Sequence, residues 1–68
     1  MTSASILLVE DEALIRMMVA EMVEELGHRV TAEAGTLEAA IATARDSAFD
    51  VALLDVNLGG LRRLTAVR

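Results

Sequence analysis

The sequence predicts an α/β fold: a three-stranded parallel sheet of order 2-1-3 with helices between its strands. Three observations carry this. Two short and almost wholly apolar runs, residues 5–9 and 50–55, have the character of strands buried on both faces. Two segments of helical period separate the strand-like stretches, and a third, more polar run at residues 29–34 suits a sheet edge. Strands that alternate with helices pair in parallel through right-handed crossovers, so the two apolar strands should be neighbours in the interior.

Ser5-Ile6-Leu7-Leu8-Val9 is the first strand. A helix follows over residues 12–26, where Ile15, Met18, Val19, Met22 and Leu26 fall on one face. Arg16, Ala20, Glu21 and Glu24 fall on the other. Glu12 suits the positive end of that helix, and Gly27 is the expected C′ residue. Residues 29–34 alternate as a strand. Thr36 then offers a hydroxyl N-cap to a second helix, with Leu37, Ala40, Ile41, Ala44 and Ala48 at helical spacing and an end near Asp46-Ser47. Residues 50–55 form the third strand, closing on Asp55. Beyond Gly59-Gly60, the Leu61-Leu64-Val67 stripe predicts a short amphipathic tail over 61–68 with about two turns of helix. The expected division is therefore 1–60 for the α/β unit and 61–68 for the tail.

The chain is small for a self-sufficient core. Ordering 68 residues costs roughly 1.5 kcal/mol each, on the order of 100 kcal/mol in all. The chain has no Cys and one His, which excludes a disulfide framework, a thiolate zinc site and a His-rich metal site. With 54% hydrophobic and 25% charged residues the composition is globular. The net charge is −5, and all six basic residues are Arg. With one Phe and neither Tyr nor Trp, there is no basic stripe and no stacking platform for nucleic acid. Residues 1–5 lack the character of a signal peptide, and the longest apolar run is four residues, so no membrane span and a cytoplasmic location are expected.

The chemistry lies in the acids. Glu10 and Asp11 end the first strand and Asp55 ends the third, so order 2-1-3 brings them together above the strand ends, where open α/β sheets bind ligands. Each acid taken singly is no more than a solvated strand end. Together they repel one another unless a cation intervenes. Mg²⁺ suits such a site, since it takes one or two carboxylates, keeps waters and accepts phosphoryl oxygens. The matching reaction is phosphoryl transfer to Asp55.

Residues 6–12, Ile-Leu-Leu-Val-Glu-Asp-Glu, followed by a helix, and residues 50–60, Asp-Val-Ala-Leu-Leu-Asp-Val-Asn-Leu-Gly-Gly, resemble the response regulator receiver domain of two-component signalling. The resemblance covers residues 5–60 and implies a CheY-like, flavodoxin-like fold truncated to its N-terminal half. It implies Asp55 as phosphoacceptor, Asp11 as a direct Mg²⁺ ligand, Glu10 acting through water, and Asn57 giving its backbone carbonyl. It further implies phosphate received from a sensor histidine kinase or a phosphotransfer protein, in a signalling module and not an enzyme. Leu58-Gly59-Gly60 stands where Met-Pro is commoner in the family. A complete receiver has five β-α units in sheet order 2-1-3-4-5. The family's switch Ser/Thr and its Lys belong to the fourth and fifth strands, and this chain contains no Lys.

A third strand without a neighbour is a template for association. The expectation is a homodimer pairing third strands antiparallel as 2-1-3-3′-1′-2′, with exchange of an element between chains as the competing arrangement. The alternative function is a non-catalytic dimerisation or interaction module whose acids are idle. Among single residues, His28 reads as a solvated loop side chain, Met17 as outward-facing, and Met18 and Met22 as core.

Overall fold

Local chemistry sets the element boundaries. Thr36 is extended (φ −139°, ψ 160°) and its Oγ1 accepts the Ala39 N–H at 3.0 Å, which starts α2, Leu37–Asp46. Glu38 in the first turn and Arg45 in the last complement the helix dipole. The first helix, α1, spans Ala13–Glu25 and ends in a Schellman motif. There Gly27 N–H donates to Glu24 O at 3.0 Å and His28 N–H to Val23 O at 3.2 Å. Gly27 carries φ +92°, the left-handed conformation this stop requires. Glu12 is the N-cap and not a first-turn residue, and its side chain makes no cap bond. The acid at the head of α1 is Glu10, whose Oε1 accepts the Glu12 N–H at 2.9 Å.

The computed structural model describes residues 3–58 and 61–67, with side chains described through residue 55 and again from 65 to 67. The strands are β1 (Ser5–Glu10), β2 (Arg29–Ala34), β3 (Val51–Leu58) and β4 (Leu61–Val67), in sheet order β2-β1-β3-β4. Order 2-1-3 with parallel pairing on both sides of β1 is as the sequence predicts. Leu7, Val9, Ala34 and Ala40 form the buried cluster under α2, joined by Ala32, Ala44, Phe49, Ala52 and Leu54. By the two-residue period of strands, Ile6, Leu8 and Glu10 then face the α1 side, where Val23 is buried.

Several expectations are corrected. The sheet has four strands, not three, because residues 61–67 form a strand antiparallel to β3 and not a helical tail. A tail of this length cannot sustain a helix without packing, and two extended runs separated by Gly-Gly carry the pattern of a hairpin. Residues 59, 60 and 68 lie outside the described residues. Since β4 covers the outer edge of β3, the β3–β3′ dimer loses its premise. The third strand also continues three residues beyond Asp55, held by pairs such as Val56↔Arg63 and Asn57↔Arg62.

The packed face of α1 is turned from the expected one. Val23 is buried and Ile15, Arg16, Val19 and Ala20 are half-buried, whereas Met18, Met22 and Leu26 are exposed, Met18 by 56%. The outward Met17 is exposed as expected. Both helices lie mainly over β1 and β2, with Ala52 and Leu54 of β3 reaching the margin of the cluster under α2. A helix resting on two strands buries a stripe narrower than its apolar arc, and the contacts of Arg16 described below draw that side inward. On α2, Ala40 and Ala44 pack while Leu37 and Ile41 are exposed for the same reason. His28 is not a free loop side chain: its Nδ1 accepts the Ala4 N–H at 3.0 Å, tying the start of β1 to the turn after α1.

Gly27→Ala should lower unfolding free energy by about 1 kcal/mol through backbone strain, because no atom lies within 4 Å of the added Cβ. Leu8→Ala, at a fully buried position, should cost about 2–5 kcal/mol. Urea titration followed by circular dichroism measures both, and a larger loss at Gly27 than at Leu8 would contradict this ranking.

Candidate functional site

The parallel ladder between β1 and β3 ends on the pair Glu10↔Asp55, the last rung on which the two strands face each other. Both side chains are buried, Glu10 with 0% and Asp55 with 5% exposure. Carboxylates are almost never this buried unless something specific holds them. They come from segments 45 residues apart in the chain, and only the strand order makes them neighbours. Asp55 is thus interior to a strand, in register with Glu10 on one side and Leu64 on the other.

Asp11 is exposed, at the first position beyond β1. Asn57 is a β3 residue two positions past Asp55, and its side chain lies outside the described ones. Among the described residues, no three His, Asp or Glu side chains gather closely enough to hold a metal ion. The predicted convergence of three acids is therefore a buried pair with Asp11 at its margin. That donor set still fits Mg²⁺ in kind, since this ion needs only one or two carboxylates and fills its shell with water and phosphoryl oxygens.

One residue at the site was assigned to the wrong face by hydropathy. Arg16 Nη1 donates to the backbone carbonyl of Glu10 at 2.7 Å, and its Nε lies 3.4 Å from Glu33 Oε1. It therefore bridges the carboxyl ends of β1 and β2. Gly35 leaves room for it: a Cβ there would stand 3.1 Å from Arg16 Nη1. The available signal was that Arg16 is the lone basic residue of α1, one turn past an acidic pair.

At the far end of the sheet, Asp50 Oδ2 accepts the Ser5 N–H at 2.8 Å, and Asp50 N–H donates to Ser5 O at 2.8 Å. These bonds set the register that delivers Asp55 to Glu10.

The family model for the response regulator receiver domain matches residues 6–68. The chain belongs to that family. It is thereby a receiver module of the response regulators of two-component signalling, with the α/β architecture described above. Among curated proteins, it is 42% identical over 53 residues to the transcriptional regulatory protein PdtaR of Mycobacterium tuberculosis, covering 78% of this chain and 26% of that protein. It is 38% identical over 61 residues to the transcriptional regulatory protein YvrH of Bacillus subtilis, covering 90% of this chain and 26% of that one. The receiver thus spans about a quarter of the length of these relatives. No solved structure matches it. Among the described residues no helix is long and apolar enough to cross a membrane.

Glu10 and Asp55 occupy facing rungs with buried side chains, and carboxylates on neighbouring strands repel when both are ionised. Asp55→Asn, which removes one of the two at constant shape, should raise the thermal midpoint in a chelating buffer. Scanning calorimetry in EDTA checks this; a lower midpoint would mean that the Asp55 charge is itself stabilising.

Proposed function

We propose that this receiver accepts a phosphoryl group on Asp55 in a phosphorelay, with Glu10, Asp11, Asp55 and the Asn57 backbone carbonyl holding Mg²⁺. The observation that carries this is the buried Glu10↔Asp55 rung, two carboxyl side chains on facing positions at the end of a parallel ladder. Buried carboxyl groups gathered at strand ends are candidates for a site where a cation or a reaction uses them. An Asp55 carboxylate oxygen attacks phosphorus in line; the new P–O bond forms as the donor's bond to phosphorus breaks, and the leaving group departs with that electron pair. From a phosphohistidine of a sensor kinase or phosphotransfer protein the leaving group is the imidazole. A bound Mg²⁺ supplies charge neutralisation on the phosphoryl oxygens. Asp11, exposed at the rim, is the ligand that incoming phosphate meets first. In this reading the protein is a cytoplasmic signalling module and not an enzyme acting on a separate substrate.

A second reading is favoured by the 5% exposure of Asp55, which gives a phosphoryl donor little access to its carboxylate. Here the acids are idle and the receiver is a non-catalytic dimerisation or interaction module. The exposed Leu14, Met17, Met18, Met22 and Leu26 of α1 are the surface it would use.

Incubation with acetyl phosphate and Mg²⁺ should add one phosphoryl group to the intact mass, and the gain should vanish in Asp55→Asn or with EDTA. An unchanged mass, together with a homodimer at micromolar concentration by light scattering, would favour the interaction module.

A further inference from the structure

We infer that Arg16 is a positioning residue that couples the edge strand β2 to the acidic site, setting the direction of the Glu10 carboxylate and the reach of Asp11. The inference rests on the proposed Mg²⁺ site and adds to it a residue that touches neither metal nor phosphate. Three observations meet at this side chain. Its bond to the Glu10 carbonyl, at 2.7 Å, has the short length of a charge-assisted hydrogen bond. Its Nε is held 3.4 Å from Glu33 Oε1 on β2. Its Nη1 lies against Gly35, where even a methyl group would stand at 3.1 Å.

The turn from β1 into α1 is consequently held at two points. Arg16 grips the Glu10 carbonyl, and the Glu12 N–H binds the Glu10 carboxylate at 2.9 Å. Asp11 lies between those anchors, so its backbone can move little while both hold. The guanidinium suits this task because its planar fork presents donors in two directions at once, whereas an ammonium is a point charge on a flexible stem. Glu33 is half-exposed, so its ion pair adds little stability by itself. Its role is to aim the guanidinium, and that makes the outer strand part of the site.

Arg16→Ala, Arg16→Lys, Gly35→Ala and Glu33→Gln test this. Partners that orient metal ligands typically contribute 10–100-fold in metal affinity. Arg16→Ala should weaken Mg²⁺ binding about tenfold or more, read as the Mg²⁺ concentration that half-raises the thermal midpoint. Arg16→Lys should recover only part of the loss. Gly35→Ala, which keeps every charge, should act in the same direction by displacing the guanidinium, and Glu33→Gln should have the smallest effect. In metal-free protein, amide exchange at Glu12 should accelerate in Arg16→Ala. A purely structural Arg16 would lower the midpoint in EDTA and leave the Mg²⁺ requirement within twofold of wild type, which overturns the inference. Absence of any Mg²⁺ response in the wild-type protein overturns the phosphoacceptor reading instead. The positioning role then falls as well unless the Glu12 amide responds to Arg16→Ala.

Discussion

The parallel ladder between β1 and β3 is the constraint on which the rest of the structure depends. Its register runs from Ile6↔Val51 to Glu10↔Asp55, and the apolar rungs Leu7↔Ala52, Leu8↔Leu53 and Val9↔Leu54 fix that alignment. A slip of β1 by one residue would turn Leu8 to the opposite face and carry Glu10 into the apolar cluster under α2. Burial of the hydrophobic rungs thus forces two acids together at the ladder's end. The placement of the acids follows from the packing of the apolar rungs, and it falls at the carboxyl ends of the strands, where open α/β sheets bind ligands.

Around this ladder the polar contacts are arranged by position. At the entry end, Ser5 and Asp50 exchange two bonds, and the His28 ring closes the start of β1 through Ala4. At the exit end, Arg16 and the Glu12 amide hold Glu10. The same Arg16 explains why α1 sits as it does. A helix placed by hydropathy alone would press Met18 and Met22 onto the sheet, but a guanidinium anchored to the Glu10 carbonyl brings Ala20 and Val23 inward beside Val19. The methionines are left in solvent, where their flexible thioethers make an adaptable surface.

The hairpin of β3 and β4 resolves a different conflict. A doubly wound sheet fills the position beside β3 with a parallel strand delivered by a crossover helix. Here that position holds an antiparallel strand, which satisfies the β3 edge from residues close in sequence. Local pairing of this kind closes only a short loop and costs little entropy. It also lengthens β3 past Asp55, so the acid faces neighbours on both sides and not on one.

Much of this was legible in the residues themselves. Alternation and apolar runs placed β2 at residues 29–34 and the cores of β1 and β3, Thr36 and Gly27 marked helix ends, and motif resemblance named the family that the model of residues 6–68 confirms. These are decided by short-range physics: pleat period, caps and left-handed backbone. The inward face of α1, the strand formed by residues 61–67, the ring of His28 and the bridge from Arg16 to Glu33 were decided only by tertiary structure. In each, the deciding partner lies on another element, so a side chain's own hydropathy carries no record of it. An arginine reads as solvent-facing until a carbonyl and a carboxylate from two other strands give it somewhere to go.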